Sequence, residues 1–280
     1  MGVIFALVVF FLGTRRINRS YGIPVAAAVV PTDAEGVERG KHIGESYGLC
    51  VECHGENMEG DIPEDDPVFG FLAPINLNSG LGGIGNTYTD IDYVRAIGHG
   101  VGIDRKPLIF MPSEYFNKFS DEDLGAISAY LKNLPAVKNE QKRTSLGPIG
   151  KAVILFEDGL LPAQVIDPNA VRQTSPDVGV TKEYGEYLTT VCTLCHGDLP
   201  SSDPVPGEGG DGPLALNLTV LGQPDWSEEV FINALRTGAA PFGQLDNEFM
   251  PWERFASLTD DELKALWLHV STLGPGEFEK

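Results

Sequence analysis

The sequence predicts an all-α protein with two tandem small helical domains and an N-terminal membrane helix. Three observations support this fold class. The pentapeptide C-x-x-C-H occurs twice, as CVECH at residues 50–54 and as CTLCH at residues 192–196. Apolar residues recur at helical spacing in two similar acidic segments, residues 119–131 and 258–270. Residues 1–13 form a continuous apolar run.

The composition limits the range of functions. Of the 280 residues, 42% are hydrophobic and 21% are charged, so the chain can bury apolar cores. The 40 Asp and Glu residues outnumber the 20 Lys and Arg residues, which gives a formal net charge of −20. Nucleic-acid binding needs a basic surface that meets the phosphates, so no nucleic-acid partner is expected. An acidic body suits docking on basic partners, although the same charge also serves solubility.

Each C-x-x-C-H motif supplies the groups that attach a c-type haem. Two cysteines on one helical turn can both form thioethers with one porphyrin, and the histidine that follows can ligate its iron. A zinc site and a redox dithiol are the alternatives. Zinc ligand pairs lie much closer together in sequence than these two motifs do, and a dithiol needs no histidine in both copies. The sequence therefore predicts two covalently attached haem c groups. The predicted attachment and proximal residues are Cys50, Cys53, His54, Cys192, Cys195 and His196.

The two halves of the chain are similar beyond these motifs, which indicates an internal duplication. Met111-Pro112 aligns with Met250-Pro251, and the acidic segment at residues 119–131 aligns with the segment at residues 258–270. Each half is predicted to contain a helix, the C-x-x-C-H motif, a long glycine-rich loop, a short helix, a Met-Pro loop and a capped terminal helix. Gly40 and Gly185 are expected to let the first helix of each half approach the last one closely.

This order of elements resembles the class I c-type cytochrome domain, present twice, over residues 35–135 and 178–275. The apolar N-terminal segment gives the chain a layout similar to membrane-anchored di-haem cytochromes c, such as cytochrome subunits of bacterial membrane dehydrogenases. The resemblance implies that a methionine fills the sixth position of each iron. The paired placement before proline supports Met111 and Met250 as these ligands. Met58 has no counterpart and is expected to be exposed or to pack locally.

Three further histidines, His42, His99 and His269, are alternative sixth ligands. None of them aligns with a histidine in the other half, so packing or surface roles are predicted. An iron-bound imidazole usually donates its free N–H to a carbonyl group. The resemblance implies that a proline supplies this carbonyl, and the candidates are Pro74 and Pro213.

Two charged segments have simpler interpretations. Arg105 and Lys106 precede Met111 and either neutralise haem propionates or form a solvated turn. The acidic residues between 61 and 66 lack the spaced ligands and the glycine of a calcium loop, so they are predicted to be a solvated surface.

Residues 1–20 are predicted to be a membrane anchor and residues 21–34 an extended tether. As a helix, the apolar run covers about 20 Å, less than the roughly 30 Å of the hydrocarbon core. Haem is attached outside the cytoplasm, so the haem domains are expected on the periplasmic side. Arg15, Arg16 and Arg19 then lie outside the membrane, against the usual positive-inside distribution. Helices of a larger membrane complex would make both features tolerable.

Residues 35–138 and 178–280 are the predicted cytochrome domains, and residues 139–177 are the predicted linker, expected to pack along the domain surfaces. The predicted function is electron transfer as a relay subunit of a membrane-bound respiratory or photosynthetic complex, with a soluble redox protein as donor or acceptor. Filled sixth positions leave no site for a substrate, so the chain itself is expected to be a carrier. A di-haem enzyme of the peroxidase or thiosulfate dehydrogenase type and a cytochrome subunit of an alcohol dehydrogenase are the alternatives.

Overall fold

The chain divides into two compact units. The computed structural model describes residues 2–25, 29–61, 63–197, 215, 218 and 225–273. The first unit consists of Met1–Gly44 and Leu49–Thr174, and the second of Glu45–Gly48 and Ser175–Lys280. Each unit contains one of the two C-x-x-C-H motifs.

Helices dominate the chain up to residue 156. They are α1 (Gly2–Ile17), α2 (Ala34–Glu45), α3 (Cys50–His54), α4 (Asp90–His99), α5 (Ser113–Phe116), α6 (Asp121–Asn133) and α7 (Pro148–Phe156). Two short 3₁₀ turns, Asp158–Leu160 and Pro162–Gln164, follow α7. A small antiparallel sheet has the order β1-β2-β3. Its strands are β1 (Glu64–Asp66), β2 (Gly70–Leu72) and β3 (Ser145–Leu146).

The second unit contains a similar set of helices. They are α8 (Lys182–Leu188), α9 (Thr193–His196), α10 (Glu228–Thr237), α11 (Trp252–Phe255) and α12 (Asp260–Val270). A short hairpin of β4 (Ala239–Ala240) and β5 (Gly243–Gln244) lies between α10 and α11. The order α8 to α12 repeats the order α2 to α6.

The helix caps repeat as well. Side-chain oxygens of Thr89, Ser120, Ser227 and Thr259 each accept the backbone N–H three residues further on, at the starts of α4, α6, α10 and α12. Such caps satisfy a backbone donor that the first turn of a helix leaves without a partner. Corresponding helices of the two units therefore begin with the same kind of cap.

The first and last helices of each repeat touch through their backbones. A Cβ atom on Gly40 would lie 1.8 Å from the carbonyl oxygen of Ala126, which places α2 directly against α6. A Cβ atom on Gly185 would lie 2.0 Å from the carbonyl oxygen of Ala265, which places α8 directly against α12. Only glycine allows this distance, so the predicted close approach is confirmed in both units.

The all-α expectation holds only in the coarser form that the protein is mostly helical. The three-stranded sheet and the β4–β5 hairpin are the differences. Their strands are two or three residues long and lie in connections between helices. Alternation of apolar and polar residues cannot be recognised over so short a distance, which is why the sequence does not reveal them.

The C-terminal half of α1 packs against α7. A Cβ atom on Gly13 would lie 2.3 Å from the carbonyl oxygen of Lys151. The Nζ atom of the same lysine lies 3.8 Å from the ring centroid of Phe10. Arg16 Nη1 donates a hydrogen bond to the carbonyl oxygen of Leu155 at 2.8 Å. Several large apolar side chains of α1 remain exposed, namely Ile4, Phe5, Leu7, Val8, Phe10, Phe11 and Leu12. Across the described ranges, no helix combines the length and apolar character needed to cross a membrane.

Candidate haem sites

The first C-x-x-C-H motif forms the short helix α3. Leu49 precedes it in the left-handed conformation, with φ 51°, and Gly55 ends it with φ 77°. Cys50 and Cys53 lie on one helical turn, and Cys53 is exposed. Burial, and secondarily the neighbouring Cys53, raise the pKa of the Cys50 thiol to about 12. The helix therefore presents two thiols on the same turn, as the attachment of one porphyrin requires.

His54 is held in the orientation that an iron ligand needs. Its Nδ1 lies 2.9 Å from the carbonyl oxygen of Ile75. Because a carbonyl oxygen only accepts hydrogen bonds, Nδ1 carries the proton and Nε2 retains the lone pair that binds a metal. Burial lowers the pKa of His54, which favours the neutral imidazole. The prediction that Pro74 supplies this carbonyl is wrong by one residue, because the loop places the carbonyl oxygen of Ile75 next to His54 Nδ1.

The loop after His54 is closed by backbone hydrogen bonds around Met58. This residue is fully buried and has a left-handed φ of 56°. Its N–H donates to the carbonyl oxygen of Gly55 at 2.9 Å, and its own carbonyl oxygen accepts the Leu77 N–H at 2.8 Å. Of the two roles expected for Met58, exposure is wrong and local packing is confirmed.

Two buried asparagines hold the next part of this loop. Asn76 Nδ2 donates to the carbonyl oxygen of Val137 at 2.8 Å. Asn78 Oδ1 accepts the N–H groups of Gly80 and Val137 at 2.9 and 3.1 Å. The sequence analysis missed both residues. The segment Asn76 to Gly80, NLNSG, carries the turn-forming composition that indicates such side-chain to backbone hydrogen bonds.

Met111 is half-buried in a turn that is tied to the end of α4. The Ser113 hydroxyl donates to the carbonyl oxygen of Ala96 at 3.0 Å. Asn117 Nδ2 donates to the carbonyl oxygen of Gly98 at 2.6 Å. These two hydrogen bonds fix the position of α5 and hence of the methionine that precedes it.

The second motif also forms a short helix that ends at a glycine with a positive φ, but its start differs from that of the first. Cys192 is the N-cap of α9, and Gly197 ends the helix with φ 72°. Burial, and secondarily Cys195, raise the pKa of the Cys192 thiol to about 12. His196 is buried, at 8% exposure. Pro213 lies outside the described residues, so its proposed contact with His196 stays a prediction.

The two methionine turns match in detail. The Met111 carbonyl oxygen accepts the Ser113 N–H at 2.8 Å, and the Met250 carbonyl oxygen accepts the Trp252 N–H at 2.6 Å. The intervening prolines have ψ angles of 54° and 63°. Both methionines are half-buried. Met111 lies in the same unit as the first motif, and Met250 lies in the same unit as the second.

The remaining histidines have structural surroundings that account for them. His99 is 4% exposed, and its Nε2 lies 3.3 Å from Arg172 Nη2. Burial first, and then the positive charge of Arg172, lower the pKa of His99 to about 4. His269 is buried where α12 meets α8, because a Cβ atom on Gly185 would lie 2.9 Å from His269 Cβ. His42 is half-buried on α2.

The charged segments lie at the surface. Arg105 is exposed with a left-handed φ of 65°, and Lys106 Nζ donates to Asn18 Oδ1 at 2.9 Å. Strand β1 with its three acidic residues is exposed, as expected for a solvated surface. In the part of the chain that the structure describes, no group of three or more His, Cys, Asp or Glu residues is placed to hold a metal ion.

The residues present fit a c-type haem, because each motif pairs two cysteine sulfurs with a histidine on the same short helix. The single ring-to-carbonyl contact of His54 leaves its other nitrogen for iron.

Comparisons with known proteins agree with this chemistry. Residues 37–135 match the family model described as Cytochrome c. The chain is also 26% identical over 289 residues to one of the subunits of nicotinate dehydrogenase from Pseudomonas putida (strain KT2440). That similarity covers 90% of this chain and 23% of the relative, so the chain spans less than a quarter of the relative's length.

The matched range includes α3 to α6, with both cysteines and the histidine of the first motif and with Met111. Residues 37–135 are therefore similar to cytochrome c, a family of electron-transfer domains that carry haem.

Proposed function

We propose that this protein carries electrons through two covalently attached haem c groups, one in each compact unit. The residues that hold these groups are Cys50, Cys53, His54 and Met111 in the first unit and Cys192, Cys195, His196 and Met250 in the second. In each set the cysteines form the thioethers, and the histidine and methionine ligate the iron.

The observation that carries this proposal is the geometry of His54. Its Nδ1 is held 2.9 Å from the Ile75 carbonyl oxygen, which fixes the ring and its tautomer. Burial favours the uncharged ring. A histidine in a purely structural role has no need of a free Nε2 beside two thiols on the same helix. The second motif also forms a short helix that ends at a glycine directly after its histidine, which supports the same role for His196.

A bound haem would supply one-electron chemistry, and histidine together with methionine as its ligands would favour the ferrous state and raise the reduction potential. The residues of this chain then have three tasks. They hold the porphyrin edge covalently, keep the imidazole neutral and oriented, and present the thioether from the Met-Pro turn. None of these tasks involves a substrate.

We favour a carrier over an enzyme because both halves offer the same pair of axial ligands. A di-haem peroxidase or a thiosulfate dehydrogenase needs one iron with an open or readily exchanged position. The matching turns at Met111 and Met250 support two filled positions.

The partner that we propose is a membrane-bound oxidoreductase complex, with a soluble redox protein receiving or donating the electrons at the other end. The name of the Pseudomonas putida relative, which is a component of nicotinate dehydrogenase, supports a dehydrogenase complex within this class. Alcohol dehydrogenases and respiratory or photosynthetic complexes belong to the same class. The net charge of −20 favours a basic soluble partner.

We also propose that residues 1–20 attach the protein to a membrane, with the haem domains on the periplasmic side. The support is the exposed apolar surface of α1, whose side chains at Ile4, Phe5 and Leu7 are 63–70% exposed. Burying this surface in lipid or among membrane helices is favourable, because moving one large apolar side chain out of water contributes about 1.5–3 kcal/mol.

The axial assignment is tested on the oxidised holoprotein by its far-red iron–sulfur absorption band. Met111→Ala and Met250→Ala are each expected to remove about half of this band, because each variant removes one thioether from one of two irons. The holoprotein should exchange electrons with small mediators and show negligible peroxidase or thiosulfate turnover. A band that survives both substitutions, or turnover typical of a dedicated enzyme, would contradict the proposal.

A further inference from the structure

The loop that carries Met111 is held by residues outside the cytochrome c domain at residues 37–135. We use the name linker cluster for three buried residues, Leu146, Ile154 and Leu161. Ile109 packs against this linker cluster. The Phe110 N–H donates to the carbonyl oxygen of Leu160 at 3.2 Å. The two residues immediately before Met111 are therefore fixed by the segment that follows α7.

A second set of contacts holds the beginning of the same loop. Val101 is fully buried in a cluster with Ile23 and Ala163. The Tyr21 N–H donates to the carbonyl oxygen of Arg105 at 2.9 Å. Residues 21–23 therefore contact the first part of the loop from Val101 to Met111. Residues 160–163 contact both its beginning, through Ala163, and its end, through Leu160 and Leu161.

The backbone of Phe110 is strained in a way that makes these contacts necessary. Phe110 has a left-handed φ of 65°, which is unfavourable for a residue with a Cβ atom. A side chain in this region persists only where its surroundings hold it there. The ring centroid of Phe69 lies 6.1 Å from that of Phe110 and adds to the Leu160 hydrogen bond. Without these contacts Phe110 would relax, and Met111 would move with it.

The loop that carries Met250 is closed differently. The N–H groups of Phe249 and Met250 both donate to the carbonyl oxygen of Asp246, at 3.3 and 2.9 Å, so the turn closes on itself. Phe249 is 40% exposed. In the described part of the second unit, positive φ angles occur only at glycines. Within the residues that the structure describes, the Met250 turn therefore closes on its own backbone and lacks the strained angle found at Phe110.

We propose that Phe110, Leu160 and Leu161 are positioning residues that keep the Met111 thioether on the first iron. This inference rests on the proposed function, since it assumes that Met111 is an axial ligand. It makes the two sites unequal: the bond at the first iron depends on the packing of residues 158–163, and the bond at the second does not. Ile17 of α1 also packs on the linker cluster, so attachment of α1 is coupled to the first site.

The test is a titration of the oxidised full-length holoprotein with imidazole, followed by loss of the far-red iron–sulfur band. Imidazole exchange breaks an iron–sulfur bond and forms an iron–nitrogen bond, with no change in oxidation state. Two steps are expected, and the step missing in Met111→Ala identifies the first site. Leu161→Ala is expected to lower the midpoint concentration of this step by about tenfold, because the population of the open loop sets the apparent affinity for imidazole. The step of the second site should not move.

Two further variants keep the test informative. Phe110→Ala removes the contact with the Phe69 ring but keeps the Cβ atom, and with it the unfavourable left-handed angle. It is safer for folding than Leu161→Ala, because Phe110 is 42% exposed. It should shift the first step in the same direction as Leu161→Ala does. Phe249→Ala is the matched control, because Phe249 has similar exposure and precedes Met250. It should leave the first step unchanged.

The outcomes separate this inference from the proposed function. If Met111→Ala removes no part of the band, the axial assignment is wrong. If Met111→Ala removes one step but Leu161→Ala and Phe110→Ala leave that step in place, only the positioning role is wrong. Equal shifts of both steps would indicate general destabilisation and would also overturn the positioning role.

Discussion

Replacing Gly40 with alanine is expected to destabilise the first unit by about 2 kcal/mol, although alanine is the better helix former. Gly40 lies where α2 touches α6, and the same contact is built around Gly185 in the second unit. The substitution therefore tests the helix contact that is repeated in both units.

The magnitude follows from the overlap. A Cβ atom on Gly40 would lie 1.8 Å from the carbonyl oxygen and 2.3 Å from the carbonyl carbon of Ala126. Weak carbon–oxygen contacts in proteins are no shorter than about 3.3 Å, so the helices must separate by more than about 1 Å. Overpacking costs about 1–3 kcal/mol, and backbone atoms cannot rotate away, which favours the upper value. The helix preference of alanine over glycine returns about 1 kcal/mol.

Gly44→Ala is the matched control on the same helix. The nearest atoms to a Cβ on Gly44 are carbons of the Tyr130 ring at 3.6 Å and the Cys50 sulfur at 3.8 Å, which are ordinary contacts. Thermal unfolding of the holoproteins should give a midpoint lower by about 4–8 °C for Gly40→Ala, at about 2–4 °C per kcal/mol for a unit of this size. Gly44→Ala should be neutral or stabilising. Equal stability gains in both variants would refute a backbone contact between α2 and α6.

Three other expectations concern a cap, a titration and the N-terminal helix. Thr259→Ala should lower the free energy of unfolding in urea by about 1 kcal/mol, because it breaks a reciprocal cap with Glu262; no loss would mean that the cap does not form. Folding lowers the pKa of His99 from 6.5 to about 4. Between these pH values His99 is therefore protonated in the unfolded chain and neutral in the folded protein. Stability should therefore decrease as the pH falls through this window, and His99→Gln, which still offers an acceptor to Arg172, should flatten the decrease; identical pH profiles of the unfolding midpoint would contradict this. Deleting residues 1–20 should release a soluble form that keeps both haem groups, and a truncated protein that stays in the membrane fraction at high salt would show that α1 is not the main attachment.

The sequence predicts those parts of the fold that depend on patterns of a few consecutive residues. The C-x-x-C-H pentapeptides each form a short helix. The N-caps Ser120 and Thr259, each followed by acidic residues, mark the starts of the terminal helices. Comparison of the halves adds information that neither half carries alone. Met111 and Met250 align with each other, whereas Met58 has no methionine and His99 no histidine at the corresponding position of the other half.

The details that sequence reasoning missed depend on the path of loops. Ile75 replaces Pro74 as the partner of His54, because the position of a carbonyl group depends on the course of the chain and not on residue type. Left-handed angles at Leu49 and Phe110 have no sequence signal, since neither residue is glycine or asparagine. Tertiary contacts impose these angles on the backbone.

The sequence predicts that residues 139–177 pack on the domains, but it does not identify the residues that they contact. Residues 139–177 have the composition of a linker, yet the described structure places Leu146 and Leu161 in a buried cluster that Ile17 and Ile109 join. Ile17 lies more than a hundred positions before the cluster in the chain. A single sequence carries no periodic pattern for such contacts, so only the folded structure shows that this segment supports the Met111 loop.

The most direct test of the account is the mass of the purified holoprotein measured under denaturing conditions. Thioether bonds survive denaturation, so the full-length chain should carry the added mass of two haem groups. The double variant Cys50→Ala with Cys53→Ala and the double variant Cys192→Ala with Cys195→Ala should each lose one group and keep the other. A wild-type chain with one haem or none, or a variant pair that loses both groups or neither, would contradict the proposal that each motif holds its own haem.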